Sequence, residues 1–187
     1  LYGDKFSIIK KYKDFYKIKT DYDKYVGFIK KRKFEQFAFK PTHKVSSLKA
    51  NVFSKPIKNS RIKMKLSFTS LLQVKSSNKE FFNFDNYWIQ KSDVVPINYK
   101  EKIFKRISIF KNVKYKWGGK KFDGIDCSGL VQLFFKFNNL YCPRDTGPQF
   151  RYFKKFKSIK KDAIIFWKGH VACLLYTSPS PRDGTKS

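Results

Sequence analysis

Residues 122–137, FDGIDCSGLVQLFFKF, set the reading of this chain, because they place a cysteine, Cys127, between an acid and a serine, behind a glycine turn and ahead of an apolar run. Cys127, Val131 and Phe134 fall at helical spacing with Leu130 beside them. The pattern predicts a helix that starts at or near Cys127, with the sulfur on its packed side. A helix start offers unpaired backbone N–H groups and the positive end of the dipole. These favour thiolate over thiol, and the same N–H groups can receive the negative oxygen of a tetrahedral intermediate.

Such a nucleophile needs a base. The string WKGHVACLL (167–175) puts His170 at the head of an apolar strand after a glycine, where an imidazole can reach a neighbouring helix start while its own strand stays fixed. The cysteines are Cys127, Cys142 and Cys173, an odd number without Cys-x-x-Cys spacing, and His43 and His170 are the two histidines. This argues against a disulfide framework and against a structural zinc site, and it leaves at least one thiol unpaired within the chain.

Around this centre the texture of the chain changes twice. Ile103, Phe104, Ile107 and Phe110 in YKEKIFKRISIFKN (99–112) recur at helical spacing and predict an amphipathic helix. A glycine-punctuated loop, VKYKWGGKKFDGID (113–126), leads to the cysteine, and DAIIFWK and HVACLL read as strands. One helix against a later antiparallel sheet is an α+β plan. Residues 1–95 read instead as short strands rich in Ile, Val, Phe and Tyr, divided by Gly, Pro, Asn, Asp and Ser: FSIIKKY, FYKIKTDYDKYVGFIK, HKVSSLKANVF, SLLQVKSS and YWIQKSDVVPI. Two of these end alike, DKYVGFIKK (23–31) and NYWIQKSDV (86–94), and FKPTHKVSS with Pro41 marks the seam between two copies.

The 187 residues leave room for one mid-sized domain and one or two small modules. With 41% hydrophobic and 19% aromatic residues, the chain has the composition of folded protein despite a net charge of +28. Lysine runs from Lys5 to Lys186 without clustering, alongside much Phe, Tyr, Ile and Asn. The charge therefore reads as a solvated surface with a general attraction to polyanions, and no specific nucleic-acid partner is expected. No apolar run approaches the ~18 residues that a membrane span needs. The first residue is Leu1, so any leader would lie outside this sequence.

Taken in order, YKWGG, GIDCSGLVQ, PRDTGPQF and DAIIFWKGHVACLL resemble the motifs of NlpC-type cell-wall cysteine peptidases, papain-like hydrolases of peptidoglycan stem peptides. The strands in front, with YVGFI and YWIQ as closing strands, resemble a tandem pair of bacterial SH3-like barrels. The fold expected is α+β: two small all-β SH3-like barrels, 1–40 (lacking its opening strand) and 41–97, then a papain-like peptidase domain over 98–175. The resemblance implies a cysteine endopeptidase that cuts the γ-D-glutamyl bond to a diamino acid such as diaminopimelate, acting on peptidoglycan peptides with a free N-terminal L-alanine and without metal or cofactor. It implies Cys127 as nucleophile and His170 as base and acid. The same resemblance implies that Tyr115 lines the site and helps to stabilise the oxyanion, that Asp145 binds the substrate amine, and that Thr146 places a small hydroxyl beside the substrate. Asp126 and Ser128 shape the turn and helix start.

The family also uses a third polar residue, usually histidine, about a dozen positions beyond the base; the count lands near Arg182, and no histidine follows His170. Residues 176–187 break the Lys and Phe bias abruptly and read as a foreign extension on a truncated frame. The missing third residue supports an alternative, a catalytically degenerate cell-wall binding module.

Overall fold

The computed structural model describes residues 1–32, 34, 40–156, 158 and 163–174. The foreign-extension reading of 176–187 and the position of the third polar residue fall outside them. Strands β1 (Phe6–Lys11), β2 (Phe15–Thr20) and β3 (Val26–Lys30) form an antiparallel sheet in that order, with a bulge between Ile8 and Lys10.

Eight strands follow: β4 (His43–Val45), β5 (Lys49–Phe53), β6 (Ile62–Ser67), β7 (Leu71–Leu72), β8 (Ser76–Ser77), β9 (Phe81–Phe84), β10 (Tyr87–Gln90) and β11 (Val94–Pro96). They make two sheets, β6-β5-β10-β9-β8 and β11-β4-β7. Both face one core: Ala50, Val52, Leu66, Phe84 and Ile89 come from the first sheet, and Val45, Leu72 and Val94 from the second. Asp85 and Asn86, both at positive φ, make the two-residue turn that sets Phe84 against Tyr87. The strands of residues 1–97 thus lie in three open sheets, and no closed barrel forms among the described residues.

The helix expected over 99–112 does not form. Phe104 adopts φ 67°, the left-handed region that ends a helix, and only a 3-10 turn, Ile107–Phe110, remains. Packing outweighs periodicity here: Phe104 and Phe110 are buried, with their rings 5.6 Å and 5.9 Å from that of Phe134.

A short hairpin, β12 (Lys120–Lys121) and β13 (Gly124–Ile125), feeds helix α1 (Cys127–Phe137). Helix α2 (Thr146–Tyr152) and the hairpin β14 (Ile164–Trp167) and β15 (His170–Cys173) complete the described chain. The apolar face of α1, Val131, Phe134 and Phe137, packs with Val171 of β15 and with Phe68, in the turn after β6. Phe68 stacks on Phe137 with centroids 4.7 Å apart.

Polar contacts tie the other modules to the same helix. Tyr22 and Asp23, in the turn between β2 and β3, bond to the Leu140 carbonyl and to Gln132 Nε2, each at 2.7 Å. The buried Lys44 ammonium donates to the carbonyls of Tyr99 and Phe137 and to Asn139, closing the C-terminal end of α1.

Candidate active site

The site is built on the first turn of α1. Asp126 is its N-cap, in extended conformation, and its Oδ1 accepts the Gly129 N–H at 2.6 Å. Its other oxygen accepts the Gly118 N–H at 2.9 Å, which fixes the glycine loop against the helix start. Gly129 is required by closeness rather than by φ. A Cβ there would lie 2.7 Å from the Gly119 carbonyl oxygen and 2.8 Å from Asp126 Oδ1.

Beneath the turn, Arg144 donates to both Asp126 oxygens and, at 3.0 Å, to the Ser128 hydroxyl. Gln149, fully buried, donates at 2.9 Å to the carbonyls of both Ser128 and Pro143. Burial alone would raise the Asp126 carboxyl, but the hydrogen bonds from Arg144, Gly129 and Gly118 outweigh it and hold the group below its ordinary value. It therefore remains an ionised cap.

On this platform Cys127 is partly buried, and its Sγ lies 3.9 Å from the Thr146 hydroxyl. Among the described residues, the backbone N–H groups of Cys127 and Ser128 have no acceptor, as the first turn of a helix leaves them. Tyr115 is bridged to Ile125, two residues before Cys127, and is 60% exposed. Desolvation, then the Cys127 and Asp126 charges, raise its phenol above the ordinary value. Asp145 opens α2 with an exposed carboxylate that makes no capping bond.

His170 begins β15, the strand that packs against α1 through Val171. Its ring lies 4.8 Å from that of Trp167, and no hydrogen bond joins it to Cys127. The structure thus gathers Tyr115, Asp126, Cys127, Ser128 and Thr146 at one helix end, with Asp145 adjoining and His170 on the packed strand. Arg144 and Gln149 are not among the site residues expected from the sequence; their signal there is the PRDTGPQ string itself.

The other two thiols are unlike Cys127. Cys142 is fully buried, and burial pushes both it and Cys173 up to about 12. Among the described residues, no three His, Cys, Asp or Glu side chains are grouped to hold a metal, and no helix is long and apolar enough to cross a membrane.

Residues 112–179 match the NlpC/P60 family, the segment that holds the glycine loop, the capped helix and both strands of the last hairpin. This part of the chain is an NlpC/P60 domain. Over 138 residues the chain is 30% identical to a γ-D-glutamyl-L-lysine dipeptidyl-peptidase of Bacillus subtilis, covering 67% of this chain and 45% of that protein. A protein of the same name from Bacillus cereus is 29% identical over 77 residues, 37% of this chain and 23% of its own. The chain thus spans less than half the length of these curated relatives. The crystal structure of an NlpC/P60 family protein from Bacillus cereus superposes with a TM-score of 0.77 at 21% identity, over 94% of this chain and 69% of that one. The likeness extends the shared fold beyond the NlpC/P60 domain into the sheets that precede it.

Proposed function

We propose that the protein is a cysteine peptidase that hydrolyses the γ-D-glutamyl bond to a diamino acid, lysine or diaminopimelate, in peptides derived from peptidoglycan. The observation that carries the reading is the head of α1: a thiol on the first turn, two unbonded N–H groups beside it and a hydroxyl 3.9 Å from the sulfur. Cys127, its proton passed to His170, attacks the γ-carbonyl carbon, and the Cys127 and Ser128 N–H groups with the Tyr115 hydroxyl receive the oxyanion. His170 gives a proton to the leaving amine as the C–N bond breaks, leaving a thioester. Water, losing a proton to His170, then attacks the thioester; the C–S bond breaks, the γ-carboxylic acid is released, and His170 returns its proton to the Cys127 sulfur.

Asp145, exposed and uncapped beside Thr146, is the group to pair with a free N-terminal ammonium of the substrate. The sheets before residue 98 serve as two SH3-like modules, divided near Pro41, that dock on α1 through Asp23 and Lys44 and on the loop after it through Tyr22. Support for the substrate class comes from the two dipeptidyl-peptidase relatives.

The test is turnover of L-alanyl-γ-D-glutamyl-L-lysine and its diaminopimelate counterpart, followed by release of the diamino acid, in the chain and in its Cys127→Ala variant. Loss of turnover in the variant is expected. Binding of either peptide without turnover in the parent chain would move the assignment to a wall-binding module.

A further inference from the structure

Strands β14 and β15 are joined by just Lys168 and Gly169, with Gly169 at φ 75°, a conformation that glycine adopts freely. So short a turn makes Trp167 and His170 directly opposed partners on the ladder. Sheet alternation then divides the hairpin. Ile164, Phe166, Val171 and Cys173 pack into the core, while Trp167 and His170 share the other face with Ile165 and Ala172. Directly opposed side chains of an antiparallel pair touch, and here the ring centroids are 4.8 Å apart with the planes inclined at 51°.

Two further facts give the contact weight. Trp167 is 53% exposed, so its indole does not serve the core. No hydrogen bond to either ring nitrogen of His170 is formed among the described residues, and the indole is the ring packed against the imidazole.

We propose that Trp167 is the positioning residue for His170, its indole holding the imidazole in one orientation at the end of β15. This rests on the reading of His170 as the proton carrier. An imidazole on a strand end can rotate about its side-chain bonds, and each rotamer that points away removes it from the reaction. A flat aromatic wall on the opposed residue limits those rotamers without using a ring nitrogen, so both nitrogens stay available for proton transfer.

The test uses the 187-residue chain with Trp167→Ala and Trp167→Phe. Because the chain has two histidines, a His43→Gln background leaves one imidazole to follow by proton NMR. In the parent, the ring protons of His170 should show the indole's shielding; Trp167→Ala should abolish it, and Trp167→Phe should keep part of it. With the dipeptidyl substrates, kcat should fall roughly threefold to tenfold in Trp167→Ala, with KM nearly unchanged and most of the loss recovered by Phe. Unmoved His170 resonances, or a kcat that holds or rises in Trp167→Ala, would overturn the proposal. Turnover that survives Cys127→Ala would instead overturn the peptidase reading and leave the ring contact to the NMR measurement.

Discussion

Arg144 grips Asp126 with two parallel hydrogen bonds, 2.9 Å from Nη1 to Oδ1 and 2.6 Å from Nη2 to Oδ2, and both side chains are nearly buried. The pair joins the start of α2 to the cap of α1, so it sets where Thr146 lies relative to Cys127. Removing one partner of a buried pair strands the other charge. Arg144→Ala should therefore cost about 3–5 kcal/mol in chemical denaturation. Arg144→Lys should recover little of it, since a single ammonium cannot satisfy both oxygens and the Ser128 hydroxyl together. A Lys variant as stable as the parent would show that the forked geometry is dispensable.

The same pair gives a sign for pH dependence. The Asp126 carboxyl is held below its ordinary value in the folded state, so the unfolded chain takes up its proton first as the pH falls. Its contribution is complete above about pH 4 and is lost as the pH drops through the folded value. Asp4, lowered to about 2 because Lys136 and other cations outweigh its burial, acts in the same direction. Stability should decline below about pH 4, and less steeply in Asp126→Asn than in the parent. Equal slopes in a denaturation series from neutral to acid pH would remove Asp126 from the account.

Lys44 also makes stability rise with pH, but at the alkaline end and because its charged form is the penalised one. Burial, helped by Lys100 and opposed by Glu101, lowers its ammonium to about 8, so above that pH the folded chain releases a proton that the unfolded chain keeps. Its charge costs stability below pH 8, and that cost is relieved as the pH rises toward the unfolded value of about 10.4. Lys44→Met should remove this rise. It should also cost about 1–3 kcal/mol at neutral pH, because the Phe137 carbonyl at the end of α1 loses its buried donor. A stability profile between pH 8 and 10 that is the same in both proteins would contradict the assignment.

Thiol chemistry separates the three cysteines. Cys142 and Cys173 lie near 12, so the fraction of thiolate at pH 8 is minute for both, and Cys142 has no exposed surface. An alkylating reagent at pH 8 should modify Cys127 first in folded protein, as peptide mass mapping would show. Earlier modification of either other cysteine would count against Cys127 as the nucleophile.

How much of this was legible in the sequence follows from the range of the interactions. The start of α1 was, because Cys127, Val131 and Phe134 make one apolar face and a local cap precedes them. The last hairpin was, because Ile164–Trp167 and His170–Cys173 are short apolar runs with a glycine between. Helix α2 was not: Gly147 and Pro148 disfavour a helix interior, yet both sit in a first helical turn, where the proline's missing N–H costs nothing. The helix expected over 99–112 failed for a complementary reason. Its apolar spacing serves contacts with Phe134 and Phe137, which only the folded chain brings near. Arg144 and Gln149 escaped notice because their partners, Asp126 and Ser128, lie 18 and 21 positions away.

Asp145 supplies the last prediction. It stands next to Arg144, whose guanidinium is committed to Asp126, and its own carboxylate is exposed and free of the helix it opens. A carboxylate left this way beside Thr146 can accept from a substrate ammonium, a charge-assisted bond worth about 1.5–3 kcal/mol. Asp145→Asn keeps the shape and removes the charge, so kcat/KM for peptides with a free N-terminal L-alanine should fall by about 10-fold to 150-fold. Acetylating the peptide should cost the parent a similar factor and should cost the variant little more, because the two changes remove one interaction. If the parent cleaves free and acetylated peptides at equal rates, Asp145 serves only the turn into α2, and the amine must be read elsewhere or not at all.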